Sequence, residues 1–496
     1  GSYVEFAIKD KNGNIVASGK EEAKKTTYWT FNTSVLAEKH VGYTASANYY
    51  DASGNLIEGP SEKTIYRFDR PKRMNENGEY VDPVTGKVVY PSLIYTCETE
   101  EDVIYAVENL GVTVTKNWVR MGAPDEEIMA MLDRAQEIGV KICFILYTPP
   151  AGHPLTIDSV RHLVGLVKDH PAVYGYMLQD EPTIQSGPSW NVKTYEQMIY
   201  YITEGYKAVR EIDPNNLVYC LQAPASIEEL RTTAQCTDVF MVDPYPSSHE
   251  VVPEFQVLRV GQALEATGGE YKQLTLLKAA AMEPKDYETG IVTDVAVRHQ
   301  AYQALWIGAQ DYGYIPVESE KGFRIDTSPF AEGIEGHTSS GEQQIIRDHF
   351  HGVNTTLVSN YQGKDVWMRS WIDAKGDMYL VLMNMTTGDV DVNIPFTSVN
   401  DKFTVGRFVA TPVNGDTRTL AGDGVIQTTL SDIQVALYKV SAEVDTSVIS
   451  QPAFDDMAGY EWAQNAAEML NEKNIVNNKG YGIFAPAENI TRADFA

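Results

Sequence analysis

The feature that most constrains the fold of this chain is a regular alternation of short apolar runs with longer amphipathic stretches, which begins near residue 90. Strands that alternate with helices in this way form a parallel sheet, and eight such units close into a barrel. The eight predicted strands are 92–98, 113–120, 141–147, 173–181, 216–223, 239–246, 273–282 and 312–318. We therefore predict a (β/α)8 barrel over residues 85–361, whose last helix opens at Ser340 and runs to about Tyr361.

The segments on either side of the barrel have the alternating pattern of β-strands. Residues 1–70 contain short strands separated by turn dipeptides, which predicts an N-terminal immunoglobulin-like β-sandwich. Residues 362–441 predict a C-terminal β-sandwich and residues 442–452 a polar linker. Residues 453–496 predict a partial helical module, with Trp462, Ala466, Ala467 and Leu470 on one face. The expected fold is thus multidomain, as the length of 496 residues also suggests.

Charge and motif content exclude several classes of partner and chemistry. Lys and Arg total 40 against 68 Asp and Glu, so the formal charge of −28 argues against nucleic acid or an anionic membrane as partner. The sequence contains no run of eighteen apolar residues, so it predicts no membrane insertion. The sequence has no P-loop, G-x-S-x-G elbow or dinucleotide fingerprint, and its histidines lack metal-ligand spacing. We expect no cofactor, no catalytic metal and free cysteines, with Cys220 and Cys236 the pair to check.

A candidate catalytic acid stands at the end of the fourth predicted strand. Its apolar run leads directly into Asp180-Glu181-Pro182, and catalytic residues of barrels lie at the carboxyl ends of the strands. Cleavage of a glycosidic bond requires a carboxyl group that stays protonated near neutral pH. The negative charge of Asp180 would raise the pKa of Glu181. The same residues could also serve only to stabilise the start of the next helix.

The barrel resembles the clan A glycoside hydrolases in two motifs. Gly111 leads into Asn117-Trp118-Val119-Arg120 at the second strand, and Gly175 leads into Asp180-Glu181-Pro182 at the fourth. This resemblance implies that Glu181 is the acid/base and that Arg120 holds a nucleophile on the seventh strand, for which Glu283 is the candidate. It implies a separation of about 5 Å between the two carboxyl groups of a retaining enzyme. Asp180 stands where the clan has an Asn that contacts the sugar 2-hydroxyl.

The sixth strand offers further substrate contacts and an alternative mechanism. It ends in Asp243-Pro244-Tyr245, and chitinase-like enzymes also place Asp and Tyr there. With Asp180-Glu181, this resembles hexosaminidases that use the acetamido group of the substrate as nucleophile, a reading in which Asp180 orients that group. The other candidate contacts lie near strand ends, where an aromatic ring could stack on a sugar, or end the eighth strand: Tyr95, Trp118, Tyr147, Trp306, Tyr312, Tyr314 and Glu318.

The last segment resembles an S-layer homology module. The motif residues are Phe454 with Asp456, Trp462-Ala463, Gly482-Ile483-Phe484 with Pro486, and Ile490-Thr491-Arg492-Ala493-Asp494-Phe495. The resemblance implies binding to pyruvylated secondary cell-wall polysaccharide and a secreted protein at a bacterial surface. Arg492 would then face the ketal carboxylate. One repeat is present where such proteins usually carry three, so this chain is not expected to anchor itself.

These observations favour a cell-surface glycoside hydrolase that cleaves O-glycosidic bonds in a poly- or oligosaccharide, with a retaining mechanism and Glu181 as acid/base. A substrate-assisted N-acetylhexosaminidase that uses Asp180 and Glu181 remains an alternative. A non-catalytic glycan-binding or S-layer structural protein is the alternative outside enzymes, because a barrel fold does not by itself imply activity.

Overall fold

A computed structural model describes most of the chain. The described residues are 1–75, 80–89, 93–94, 97, 99–119, 122–148, 153–154, 156–187, 192–223, 225–243, 253–267, 272–278, 294–309, 311–315, 317–319, 322–324, 341–350, 355–399, 403–413, 418–442, 457, 460, 463, 466–467 and 470. Within these ranges, none of the helices combines the length and the apolar character needed to span a membrane.

The N-terminal segment is one antiparallel sheet. Its strands, in the spatial order β2-β1-β3-β4, are β1 (Tyr3–Lys9), β2 (Ile15–Glu22), β3 (Gly42–Tyr50) and β4 (Leu56–Tyr66). The prediction of two packed sheets is wrong here, because the residues between β2 and β3 form a loop with a short 3-10 helix (Thr33–Val35) instead of strands. Side chains of this loop, Trp29, Phe31 and Leu36, pack on the sheet in place of a second layer.

Eight parallel strands form a closed barrel, as the alternation of apolar runs predicts. The strands, and the hairpin β8–β9 that follows the third of them, are β5 (Leu93–Ile94), β6 (Val114–Lys116), β7 (Lys141–Ile145), β8 (Tyr147–Thr148), β9 (His153–Pro154), β10 (Val173–Asp180), β11 (Leu217–Gln222), β12 (Val239–Val242), β13 (Lys272–Lys278) and β14 (Asp311–Ile315). The last strand closes on the first where Gly313 pairs with Leu93 and Tyr314 with Ile94.

A helix follows every barrel strand. The helices are α1 (Glu100–Leu110), α2 (Asp125–Ile138), α3 (Ile157–Val167), α4 (Tyr195–Ile212), α5 (Ile227–Ala234), α6 (Pro253–Thr267), α7 (Asp294–Trp306) and α8 (Glu342–Phe350). Capping boxes at Thr99 and Ser226 satisfy the first backbone amides of α1 and α5. Gly111 and Gly139 end α1 and α2 in left-handed conformations that suit glycine.

The segment that precedes the barrel closes the amino-terminal end of its strands. The amide of Arg73 donates to the carbonyl of Asn215 over 3.1 Å. The ring of Tyr80 lies 4.4 Å from that of Tyr174, centroid to centroid, and packs in the barrel interior. Asp82 pairs with Lys141 at the start of the third strand. Because this end is covered, access to the barrel is from the carboxyl ends of its strands, which we call the mouth.

The C-terminal part begins earlier than predicted. Helix α8 ends at Phe350, and residues predicted to extend it form a strand, β17 (Thr356–Gln362), instead. This segment contains the β-branched residues Thr356 and Val358, which favour strands. After the hairpin β15 (Val317–Ser319) and β16 (Gly322–Arg324), the strands are β17 (Thr356–Gln362), β18 (Val366–Ile372), β19 (Met378–Asn384), β20 (Val390–Pro395), β21 (Arg407–Pro412), β22 (Leu420–Asp423), β23 (Val425–Leu430) and β24 (Val435–Ala442).

These strands form two sheets that share one core, which is the arrangement expected of a sandwich. One sheet has the order β17-β18-β19-β24-β21-β22, and the other pairs β20 with β23. Leu380 from the first sheet and Ile394 and Ile426 from the second are buried in the same cluster. The four cysteines are free, as expected. In the last segment, buried Met457 and Ala467 pack with Tyr460 and Ala463.

Candidate active site

The end of the fourth barrel strand places Glu181 in an unusual backbone conformation. Its amide donates to the carbonyl of Leu221 on the next strand over 2.9 Å. Its own carbonyl accepts from the amides of Ile184 (3.0 Å) and Gln185 (2.9 Å), which forms a tight turn. The φ angle of Glu181 is +40°, in the left-handed region that residues other than glycine rarely adopt. Strained residues of this kind concentrate at functional sites, where the surrounding structure holds them in place.

Asp243 approaches Glu181 from the sixth strand. Val239 and Met241 face the barrel interior, and because side chains alternate along a strand, Asp243 also faces inward, at the mouth. It is 2% exposed. Its carboxyl group hydrogen-bonds to the carboxyl group of Glu181. Such a bond requires a proton on one of the two groups, so the pair is built to hold a proton inside the barrel.

Burial is the main reason why this pair holds a proton. It raises the pKa of Glu181, and the hydrogen bond from Asp243 partly opposes that rise. The pKa of Asp243 is raised well above its usual range, by burial first and then by the negative charges of Glu181 and Asp180. The negative charge of Asp180 therefore raises the pKa of Asp243, whereas the sequence predicts that it raises the pKa of Glu181. Both carboxyl groups of the pair therefore have a raised pKa, which favours their protonated forms.

An amide network fixes the turn that carries Glu181. The Nε2 atom of Gln185 donates to the Oδ2 atom of Asp180 over 3.3 Å, and its Oε1 atom accepts from Gln179 over 3.1 Å. On the next strand, Gln222 accepts from the Thr183 hydroxyl over 2.9 Å. Sequence reasoning missed Gln185 and Gln222. A glutamine that ends a buried strand, as Gln222 does, is the only signal of such a role in the sequence.

Several predicted site residues lie outside the described residues, so their roles stay predictions. These are the clan arginine, the sixth-strand tyrosine, the seventh-strand nucleophile candidate, one aromatic of the first strand and the arginine of the last segment: Arg120, Tyr245, Glu283, Tyr95 and Arg492. Three more belong to strands whose backbone alone is described, namely Tyr312 and Tyr314 in β14 and Glu318 in β15.

The three described aromatic candidates differ in position. Tyr147 lies in the barrel interior but is only 3% exposed, which leaves little of its ring for stacking on a sugar. Trp118 is half-buried against the layer between strands and helices. Trp306 is buried between α7 and the C-terminal sheet, with its ring 5.6 Å from that of Trp367. With 5% of its surface exposed, Trp306 has little ring area for stacking on a sugar, and its role as a substrate contact stays a prediction.

Comparison with known proteins identifies the last segment: residues 453–496 match the S-layer homology domain family, which confirms the predicted module. No curated protein matches the chain.

Three solved structures show overall likeness. A family 39 glycoside hydrolase from Bacteroides cellulosilyticus has 11% identity and a TM-score of 0.46, with 89% of this chain and 95% of that chain covered. A family 27 β-L-arabinopyranosidase from Geobacillus stearothermophilus has 11% identity and a TM-score of 0.48 (72% and 97% covered). A putative α-galactosidase from Bacteroides fragilis has 11% identity and a TM-score of 0.46 (88% and 92% covered). Because these identities and TM-scores are low, the function of the chain is inferred from the residues of its own site.

Proposed function

We propose that the barrel is a glycoside hydrolase that cleaves O-glycosidic bonds in a poly- or oligosaccharide, with Glu181 as proton donor. The hydrogen-bonded Glu181–Asp243 pair at the barrel mouth carries this proposal. Departure of a sugar alkoxide requires a proton from a carboxyl group whose pKa has been raised toward neutral pH. Burial raises the pKa of Glu181 in that direction.

Asp243 stabilises the product of that proton transfer. Once Glu181 has given its proton to the leaving oxygen, its carboxylate accepts the hydrogen bond from protonated Asp243. A buried carboxylate without such a donor would be costly. The same bond lowers the pKa that burial has raised, so the two effects together set the pH at which Glu181 can act as an acid and, in a second step, as a base. Asp243 is thus a partner of the acid as well as a candidate substrate contact.

A retaining mechanism needs a second carboxylate as nucleophile, and we propose Glu283 at the seventh strand, held by Arg120. Substrate assistance by an N-acetyl group is the second candidate. It is favoured by the position of Asp180, which lies next to the acid with its side chain held by Gln185. Aryl hexosides and aryl N-acetylhexosaminides distinguish the two mechanisms. A retaining enzyme loses turnover of its hexoside in Glu283→Gln, whereas a substrate-assisted enzyme prefers the N-acetyl substrate and loses turnover in Asp180→Asn.

A panel of aryl α- and β-glycosides and bacterial and plant polysaccharides, with Glu181→Gln as the comparison, tests the hydrolase proposal itself. Turnover by the parent chain that the variant lacks supports it. Glycan binding by both proteins with turnover by neither would identify a non-catalytic glycan-binding or S-layer protein instead.

The S-layer homology module supports a location at a bacterial cell surface. We propose that its partner is an acidic secondary cell-wall polysaccharide, bound when further modules complete the set, and that Arg492 pairs with the carboxylate of that polymer. Joined to two more such modules, the chain would sediment with purified cell walls. Replacement of Arg492 by Gln would weaken this sedimentation without changing hydrolysis of a soluble substrate.

A further inference from the structure

A cavity separate from the barrel mouth lies between the N-terminal sheet and helices α4 and α5. Its volume is about 480 Å³, within the range of about 300–1,000 Å³ that small-molecule sites occupy. Strands β1, β3 and β4 and the loop that carries Trp29 form one side, and Ile199, Tyr206 and Cys236 form part of the other. Arg231 of α5 lies 4.3 Å over the ring of Tyr28, which ties the loop to the barrel.

Aromatic rings form one wall of this cavity. The ring of Trp29 lies 5.7 Å from that of Phe6 and 5.3 Å from that of Phe31, in stacked orientations. Trp29 keeps this place because it lies directly on Gly19, where a Cβ atom would be only 2.1 Å from its indole nitrogen. The three rings are half-buried, so they retain surface on which a sugar ring can pack.

Hydroxyl groups stand among the apolar side chains of the cavity. The Ser46 hydroxyl donates to the carbonyl of Ala7 over 3.4 Å, and the Thr203 hydroxyl donates to the carbonyl of Ile199 over 2.8 Å. A hydroxyl that donates its hydrogen keeps lone pairs with which it can accept. The cavity therefore combines aromatic surface, on which the apolar face of a sugar ring can pack, with groups that can hydrogen-bond to the sugar hydroxyls.

The charge of the cavity contrasts with that of the whole chain. Among the described residues that line it, Lys63 is the one charged side chain and no Asp or Glu is present, although the chain has 68 acidic residues. The positive charge of Lys63 acts on Cys236 in the cavity wall, where it opposes the rise that burial causes in the pKa of the thiol. A ligand that carries a carboxylate therefore fits this cavity better than a cationic ligand does.

We infer that this cavity binds an acidic saccharide, with a sugar ring packed on the Trp29 wall and its carboxylate directed to Lys63. Such a site would hold a glycan on the N-terminal sheet while the barrel mouth acts elsewhere. It does not depend on the catalytic proposal, because no residue of the Glu181–Asp243 pair contributes to it.

Binding of digalacturonic acid, measured by calorimetry and tryptophan fluorescence, tests this inference. The full chain is used with Glu181→Gln, so that turnover cannot remove the probe. Galactobiose is the matched neutral sugar, which lacks the carboxylates. We expect saturable binding of digalacturonic acid that added salt weakens and that Lys63→Met reduces roughly tenfold or more, as loss of one charged hydrogen bond would. Lys20→Met, on strand β2 and outside the cavity lining, is the control and leaves binding unchanged.

Absence of saturable binding would overturn the inference, and so would equal binding of the two sugars or binding that Lys63→Met leaves intact. Ala45→Leu is a second test of ligand binding, because Ala45 lines the cavity and a larger side chain there would fill part of it. For a ligand site this added side chain abolishes binding of digalacturonic acid. If instead the parent chain binds nothing and Ala45→Leu merely raises the melting temperature, the cavity is only a packing gap.

Discussion

Two carboxyl groups that share a hydrogen bond determine the chemistry of the site at the scale of single residues. Glu181 can be located from sequence because an apolar strand runs directly into it. Its bond to Asp243 could not be predicted, because it depends on how closure of the barrel brings the ends of β10 and β12 together. The cause of the raised pKa of Glu181 could not be predicted either, because that cause is burial by the packing around the mouth and not the charge of Asp180, its neighbour in sequence.

Asp243→Asn is expected to remove a pH dependence of stability. Because the pKa of Asp243 is raised in the folded chain, the folded state holds a proton that the unfolded state releases. The stability from this proton is fully present below the unfolded pKa and is lost as pH rises through the folded pKa. The unfolding free energy of Asp243→Asn relative to the parent chain should therefore increase across that window, by about 1.4 kcal/mol per pH unit.

Urea unfolding of both proteins between pH 4 and pH 8 measures this difference. Asp432→Asn, a change at an exposed turn, is the control for loss of a carboxyl group from the chain. A difference between Asp243→Asn and the parent that stays constant with pH would mean that Asp243 is ionised in the folded chain.

The turn after β10 is the element that aims Glu181. Gln185→Leu removes the amide that Asp180 accepts from and leaves the backbone bond to Glu181 possible. We expect kcat to fall by about tenfold to a hundredfold, the cost of small misplacements of catalytic groups, with little change in melting temperature. Gln344→Leu, an exposed change on α8, should leave kcat unaltered. Equal kcat in Gln185→Leu and the parent would remove Gln185 from the positioning network.

Close contact between β10 and β11 requires a glycine at position 175. A Cβ atom there would lie 2.5 Å from the carbonyl oxygen of Leu217 and 2.6 Å from the Tyr219 ring. We expect Gly175→Ala to lower the unfolding free energy by about 1–3 kcal/mol. Gly165→Ala is the control, because Gly165 lies in α3 and its added Cβ would have no atom within 4 Å apart from the adjoining chain and the backbone of its own helix. It should stabilise the helix by up to about 1 kcal/mol. Thermal unfolding of both variants checks the opposite signs.

At the scale of elements, the sequence predicts the barrel better than its neighbours. All eight strands form where apolar runs alternate with helical stretches. The prediction succeeds because the apolar runs and the amphipathic stretches are each long enough to be distinguished from one another. The pattern fails at Thr356–Gln362, where a polar segment fits either a helix or an edge strand. It also fails between β2 and β3, where Trp29 and Phe31 alternate as in a strand but belong to a loop that packs on the sheet.

At the scale of the whole molecule, a buried ion pair between two barrel helices lies beside hydrogen bonds that join the barrel to the C-terminal sheet. The Nη2 atom of Arg298 on α7 lies 2.6 Å from a carboxylate oxygen of Glu342 on α8. The Nη1 atom of Arg298 donates to the carbonyl of Val435 on β24 over 2.7 Å. Tyr302 donates to the same carboxylate, and His299 bonds to the carbonyl of Asn384. The C-terminal sheet therefore serves as a support for the barrel.

Arg298→Met is expected to destabilise both parts together. It removes Arg298 from the Glu342 carboxylate, which is fully buried, and loss of one partner of a buried pair costs about 3–5 kcal/mol. Arg134→Met is the control, because its pair with Glu100 is exposed and contributes under about 1 kcal/mol. Differential scanning calorimetry compares the two variants, and equal shifts in melting temperature would contradict the supporting role of Arg298.

The role of Glu181 as proton donor is tested most directly by the leaving-group dependence of Glu181→Gln, measured on the best aryl glycoside from the panel. A 2,4-dinitrophenyl leaving group needs no proton, whereas a methyl glycoside or a natural glycan does. We predict that the variant retains cleavage of the dinitrophenyl glycoside, loses turnover of the natural substrate and loses the fall in kcat that the parent shows as pH rises above the ordinary range of a glutamate. Equal losses on both substrates, or a pH profile that Glu181→Gln leaves unchanged, would contradict the assignment.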